Sequence, residues 1–421
     1  MLPRQSAGLA LLRRLPAVQR LGRIAGPVAT HLVGGAVRDR MLGLPVGDLD
    51  AVVERRGREI ATRLADELGA RFVPLGGKEF AAYRVVGPGL TLDLWDRDGT
   101  TLEQDLARRD FTVNAMALAL SDGRLIDPYD GERDIGMRAL RATTSGSFSG
   151  DPLRVLRLAR LLVQLPGFAI DPATLDLGRE AAEGVAEMAS ERVREELRLL
   201  LLSPEAHRGV AALAQLGIYP GLWLGQPGRH VDAAVAARAI LRLEHLAGCA
   251  LAVREAGGEV DLLTARATLL LRSLGEPAAA VLRRMADAGY ATQRQSAEIA
   301  PLLEWHELPL LELEQRVFLH RAGTRWATAV AVIGACEAVA GRSAAWLRTL
   351  GGLATLVRRE GASLISPQQL LSGREVQELL GLPPGPAIGE ALRRVRDAQV
   401  SGRVQSADDA RRLLLAARSF D

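Results

Sequence analysis

Cysteine is almost missing from this chain of 421 residues: Cys249 and Cys336 stand far apart, with no CxxC pair and no His/Cys cluster. A disulfide framework and a zinc site are thereby excluded, and the pattern suits a reducing cytoplasm. No apolar run approaches the roughly 18 residues of a membrane span, so the chain reads as soluble. Aromatic residues make up 4% of the sequence, too few for an extended base-stacking platform. Lysine is reduced to Lys78, so the net charge of +3 is carried by arginine. That mild basicity permits a polyanionic partner held through phosphate contacts, whose binding should weaken as salt rises. None of the six histidines (His31, His207, His230, His245, His306 and His320) is followed by aspartate, which leaves an appended metal phosphohydrolase module without support.

Acid is absent from residues 1–38, where Arg4, Arg13, Arg14, Arg20 and Arg23 lie among leucines and alanines. Organellar transit peptides share that pattern, but a helix packed beside the first domain is the preferred reading of this N-terminal extension (residues 1–30). The chain is rich enough in apolar residues, 48% of the whole, to bury more than one core. From His31 to about Leu140, short apolar runs ended by Gly, Pro or Asp predict strands: "HLVGG", "DLDAVVE", "ARFVPLGG", "FAAYRVVG", "LTLDLWD" and "GRLIDPYDG". "REIATRLADELGA" predicts a helix closed by Gly69. After Asp151 the periodicity is helical almost throughout, with breaks at 223–230 and 380–389. The expected class is α+β, a small mixed domain followed by helices.

"HLVGGAVRDRMLGLPVGDLDAVV" (31–53) holds the densest chemistry. Gly34 and Gly35 let the backbone turn from a strand into a helix whose free N–H groups attract phosphate. Arg38 in its first turns can add a charge-assisted fork. The turn is neither a Walker loop nor a GxGxxG fingerprint. If "DLDAVV" is a strand, Asp48 and Asp50 project from one face. Two adjacent acids repel unless a cation lies between them, and oxygen ligands beside phosphate suit Mg²⁺. Asp93, alternating with apolar neighbours in "LTLDLWD", is a candidate third carboxylate. Arg108 and Arg109 precede Asp110 and an apolar segment containing Asn114, and this cation pair could neutralise a triphosphate.

Several ordered motifs together resemble the class II tRNA nucleotidyltransferase and poly(A) polymerase family, within the DNA polymerase β-like superfamily. "GGAVRDRMLGLPVGDLD" is similar to its GGxVRD and DxD signature, "RRDFTVNAMA" to its RRD motif, and "DPYDGERDI" (127–135) to its DxxxGxxDL motif. "DPLRVLRLAR" (151–160) resembles the motif that binds the incoming base, and "SERVREEL" (190–197) the helix after it. The likeness is strong over residues 31 to about 200 and fainter in "LSGREVQELLGLPPGPAIGEALRRVRDAQVSGRV" near the C-terminus.

This resemblance implies a nucleotidyltransferase head (31–140) followed by helical neck (141–205), body (206–360) and tail (361–421). It implies template-independent, Mg²⁺-dependent addition of nucleotides to a tRNA 3′ end, with Asp48 and Asp50 holding the metal. Gly35, Arg38 and Arg109 would contact the triphosphate; Asp151, Arg154, Arg157 and Arg160 would line the nucleotide-facing side of the neck helix. Residues three apart on a helix lie on neighbouring ridges, so Asp151 and Arg154 can offer an acceptor beside a donor fork. That pair matches the edges of cytosine and adenine. Guanine and uracil would leave buried polar groups unpaired.

Two departures qualify the match. Gly150 stands where the family commonly has Glu, and only "DRDGTTLEQDLA" separates Trp95 from Arg108, where CCA-adding members carry a flexible loop. The short connection resembles CC-adding members, which use CTP alone. The alternatives are a full CCA-adding enzyme using CTP and ATP, a poly(A) polymerase, and a non-catalytic RNA-binding protein on the same scaffold; the intact DxD argues against the last.

Overall fold

The computed structural model describes residues 3–75, 82–97, 99–224, 233–274, 277–365 and 367–418. Lys78 and His230 lie outside the described residues. Two compact units are distinguished: Met1–Ala189 with Gln215–Ile218, and Ser190–Ala214 with Tyr219–Asp421. Among the described residues, no helix is long and apolar enough to cross a membrane.

The first unit opens with two helices, α1 (Pro3–Arg13) and α2 (Pro16–Ala25). Their apolar residues Leu9, Leu12, Val18, Leu21 and Ala25 are buried. A side chain at Gly8 would collide with the Arg40 carbonyl, so α1 lies close against the backbone near Arg40. The arginine-rich opening is thus part of the unit's core packing.

Seven strands come next: β1 (Thr30–Val33), β2 (Leu49–Val53), β3 (Arg71–Leu75), β4 (Ala82–Gly87), β5 (Leu90–Asp96), β6 (Ala117–Ala119) and β7 (Leu125–Ile126). They form one sheet in the order β3-β4-β5-β2-β1-β6-β7. β2 and β5 run parallel, the other neighbours antiparallel. Helix α3 (Gly35–Leu42) connects β1 to β2, and α4 (Gly57–Leu68) leads from β2 toward β3. Gly69, with a left-handed φ of 59°, ends α4 where the sequence predicts. The central strands read as apolar runs because Leu32, Val33, Ala51, Val52, Val53, Leu92 and Leu94 are buried.

Between β5 and β6 lies α5 (Leu102–Ala107), and beyond the sheet α6 (Gly131–Met137). α7 (Arg154–Gln164) begins a helical region interrupted by a short parallel pairing of Ala139–Leu140 with Ala169–Ile170. Among the described residues, the regular elements of the second unit are all helices. Its last segment carries a local core of Leu371, Val376, Ala391, Val395, Val404 and Leu414. The Pro/Gly stretch expected to break the helices there does so, since one helix ends at Leu380 and the next starts at Pro386.

Candidate functional site

The central strands bring the glycine turn and the acids together. β1 pairs with β2 so that Val33 faces Asp50, and β2 pairs with β5 so that Asp50 lies beside Asp93. Gly34 adopts φ 73° at the start of α3. A Cβ there would sit 3.0 Å from both an Asp50 oxygen and an Arg109 nitrogen, so only glycine leaves this junction open. The first backbone bond of α3 runs from the Arg38 N–H to the Gly34 carbonyl. By helix geometry the amides before it have no intrahelical acceptor.

Only Asp50 is part of β2; Asp48 is an exposed bend residue just ahead of it. This corrects the expectation that both acids alternate within one strand, and the cause is the Pro45–Gly47 approach, which delays pairing until Leu49. Burial pushes the Asp50 carboxyl up to about 6; Arg109 opposes the rise, and the charges of Asp93 and Asp48 add to it. Asp93 is 8% exposed and gripped by Arg84 through two parallel bonds of 2.7 Å. The candidate third carboxylate therefore already has a bidentate counter-ion.

The RRD segment is held from both sides. Asp134 accepts from the Thr112 hydroxyl at 2.7 Å, and Asp127 accepts the Gly131 and Glu132 amides at 2.8 Å. A side chain at Gly131 would collide with the Thr112 carbonyl. The DxxxGxxD pattern thus has a mechanical reading: its first Asp caps α6, its Gly permits contact, and its last Asp anchors the residues after Arg109. Sequence reasoning named this motif without assigning its work.

Arg109 reaches Asp105 at 3.3 Å, while its Nε is buried with no partner. Arg154 donates to the carbonyls of Ser147 (2.9 Å) and Arg108 (2.5 Å), and its Nε is likewise buried and unpartnered. Both line a cavity of about 390 Å³ together with Gly34, Gly35, Asp50, Trp95, Arg108 and Arg157. That volume falls within the range of small-molecule sites. Asp151 and Arg154 do not share a regular helix, because α7 starts at Arg154 and Asp151 stands one turn ahead; the Arg154 N–H donates to the Asp151 carbonyl at 3.0 Å. Pro152 and Gly150 keep Asp151 out of the helix, the first by disfavouring the helical conformation in the residue before it and the second by its low helix propensity. Arg160 bonds Gln164 along the same helix at 2.6 Å.

Arg38 is 8% exposed and forks toward Asp39 (2.8 and 2.7 Å) and Asn114 (2.5 Å). Asn114 in turn donates to Asp110 at 2.9 Å, and Arg157 pairs with Asp110 at 3.2 Å. Burial works against the Asp110 charge, but Arg157 and the bonds from Asn114 and Phe111 hold its carboxyl below the usual range. Asp110 and Asn114 are structural partners of the site that residue type alone did not assign.

A larger open cavity of about 770 Å³ lies in the second unit around Arg254, Asp261 and Arg325. There Arg325 pairs with Glu298, and Asp261 caps the helix that starts at Leu262. The first site instead gathers Arg108, Arg109, Arg154 and Arg157 beside Asp50. Among the described residues no group of three or more His, Cys, Asp or Glu is disposed around a metal position.

Comparison with known proteins agrees with this layout. Residues 30–94 and 92–141 match the poly A polymerase head domain, and 167–225 match the probable RNA and SrmB-binding site of polymerase A. The CC-adding tRNA nucleotidyltransferase of Geobacter sulfurreducens is 32% identical over 92% of each chain. The A-adding tRNA nucleotidyltransferase of Deinococcus radiodurans is 33% identical over 91% of this chain and 94% of its own. The crystal structure of the Bacillus stearothermophilus CCA-adding enzyme in complex with CTP superposes with a TM-score of 0.68 at 24% identity, covering 100% of this chain and 99% of that one, a likeness of fold. Relatives matched over nine-tenths of their length show that this chain belongs to the tRNA nucleotidyltransferase and poly(A) polymerase family of enzymes.

Proposed function

We propose that the chain is a CC-adding tRNA nucleotidyltransferase, which transfers cytidylate from CTP to the 3′ end of a tRNA without a template and releases pyrophosphate. The observation that carries this reading is the cavity beside Asp50 on which four arginines, Arg108, Arg109, Arg154 and Arg157, converge with the Gly34–Gly35 turn. Guanidinium groups gathered on one cavity favour an anionic, polar-edged ligand such as a nucleoside triphosphate.

Asp48 and Asp50 are assigned to Mg²⁺. The fit rests on the opening that Gly34 leaves beside Asp50, and on the crowding of acids there, which a cation would offset. Mg²⁺ bound by these residues would supply Lewis acidity toward the 3′-hydroxyl and the phosphates. The protein's own groups do the rest. Gly35 at the helix start, Arg38 and Arg109 orient the triphosphate and disperse charge that grows on the leaving pyrophosphate. Asp151 and Arg154 offer an acceptor and a donor to the base, with Arg157 and Arg160 farther along α7. Cytosine and adenine satisfy such a pair, whereas guanine and uracil leave it unpaired. The division into head (31–140), neck (141–205), body (206–360) and tail (361–421) serves as the working frame, with the helical tail on tRNA. Two free cysteines suit work in the cytoplasm.

The preference for CC addition is supported by the connection from Trp95 to Arg108. Its second half is a folded element, α5, closed at its start by reciprocal bonds between Thr101 and Gln104. The similarity to an A-adding enzyme supports a second reading, addition of a single adenosine. Purified protein incubated with tRNA ending at the discriminator base, or with tRNA already ending in CC, separates them. Two cytidines on the first substrate and nothing on the second are expected. Adenosine on the second alone would establish the A-adding reading, and three residues on the first with both nucleotides the CCA-adding one.

A further inference from the structure

We propose that Asn114 is a positioning residue that sets the register between the triphosphate grip and the base-reading helix, and so contributes to nucleotide choice as well as to binding. The inference rests on the cytidine-adding reading above and goes beyond it. Its basis is a continuous line of polar groups, buried from Arg38 to Asp110 and ending on the half-buried Arg157. Arg38 of α3 donates through Nη1 to Asn114 Oδ1 (2.5 Å), and Asn114 donates through Nδ2 to Asp110 Oδ1 (2.9 Å). Asp110 Oδ2 then accepts from Arg157 Nη1 on α7 (3.2 Å). Asp39 holds the far side of Arg38, and the Phe111 amide fixes Asp110 Oδ1 at 2.8 Å.

Asn114 is the one neutral member of this line, between a cation and an anion, and its two ends are chemically forced. The amide oxygen must face the guanidinium, because both are matched only that way; the NH₂ must face the carboxylate. Alanine would leave a donor on Arg38 and an acceptor on Asp110 unpaired in a buried place. Aspartate would keep the bond to Arg38 but set two carboxylates against each other. Arg38, Asn114 and Asp110 are 8%, 9% and 6% exposed, so water cannot readily substitute. A shift of Arg38 is therefore transmitted through three hydrogen bonds to Arg157, the residue one turn beyond Arg154 on the helix that faces the base. Small misplacements of groups that orient a substrate cost rate steeply.

The experiment compares wild type, Asn114→Ala, and the exchange Asn114→Asp with Asp110→Asn. The exchange keeps the links from Arg38 to 114, from 110 to 114, and from Arg157 to 110, with the central polarity reversed and one acceptor fewer for Phe111. Single-nucleotide incorporation from CTP and from UTP is measured on truncated tRNA, with the melting temperature of each protein. For Asn114→Ala the expected result is a loss of about tenfold or more in kcat/KM for CTP, with the CTP-over-UTP ratio falling about fivefold. The exchange should restore a good part of that ratio. An equal loss for both nucleotides, with the ratio unchanged in both proteins, would mean that Asn114 only supports the fold and would overturn the proposal. Should Asn114→Ala fail to fold, the single variant Asn114→Asp takes its place: a ratio that falls in it and is restored in the exchange supports the link, and a ratio unchanged in both refutes it. Absence of CTP incorporation by the wild type would instead remove the cytidine-adding reading itself.

Discussion

At the scale of single residues, Asp50 carries the sharpest consequence. Its carboxyl is raised to about 6 by burial, with Asp93 and Asp48 adding to the effect and Arg109 opposing it. An aspartate raised in the folded state prefers its proton there, so its contribution to stability is complete below the unfolded value near 4 and is lost as pH climbs through about 6. At about 1.4 kcal/mol per pKa unit, the upper bound on that loss is about 3 kcal/mol. In the presence of a chelator, the melting temperature of the wild type should fall between pH 5 and pH 7 relative to Asp50→Asn, whose curve lacks this component. A divalent cation reverses the sense, because it competes with the proton: its stabilising effect should grow from pH 5.5 to 7.5 and be absent in Asp50→Asn. Parallel pH curves for the two proteins without metal would show that the Asp50 carboxyl is not raised.

At the scale of elements, the RRD segment depends on how closely α6 can approach it. Gly131 begins α6, and a methyl group there would collide with the Thr112 carbonyl and come within 2.8 Å of Met116 Cγ. The obstruction is backbone, which cannot rotate away, so Gly131→Ala should cost about 2 kcal/mol or more and displace the residues just after Arg109. Thermal melting and CTP incorporation should fall together, whereas Gly136→Ala on the same helix, where no atom lies within 4 Å, should leave both near wild type. Unchanged melting of Gly131→Ala would contradict the packing. The same elements show what the sequence makes legible. The alternation in "LTLDLWD" and the Gly69 stop specify β5 and the end of α4 because burial period and a left-handed cap are local properties. β6 was hidden, since "NAMALAL" is apolar at every position after its Asn and its three paired residues lie buried between neighbours. The glycine turn and the acids could be recognised from spacing, while the Asn114 link could not, because its partners come from residues 38 and 110 and only folding makes them adjacent.

At the scale of the whole molecule, charge and aromatic content decide how a long RNA would be held. The chain has 53 basic residues against 50 acidic ones, so attraction cannot come from a large net field and must come from placed arginines. Many of the exposed ones are paired with neighbouring acids, as Arg374 with Glu378 and Arg412 with Asp409. Such surface pairs contribute little and can be exchanged for phosphate contacts. Stacking is a poor alternative: Phe111, Phe148, Phe168 and Phe318 are fully buried, and Tyr219, Trp223, Trp326 and Trp346 are at most 6% exposed. Binding of tRNA should therefore be governed by release of counterions, each phosphate contact adding roughly −0.7 to −0.9 to the slope of log affinity against log salt. Titrations from about 50 to 200 mM KCl should give a straight line of slope about −3 or steeper. Replacing Arg394 and Arg396, both exposed on the helix Pro386–Val400, should make that slope shallower by about one for each arginine that touches phosphate, while incorporation at saturating tRNA stays unchanged. An affinity that stays flat across the salt range would mean that the tRNA is held by shape and base contacts, and the arginine content would then have no part in recognition.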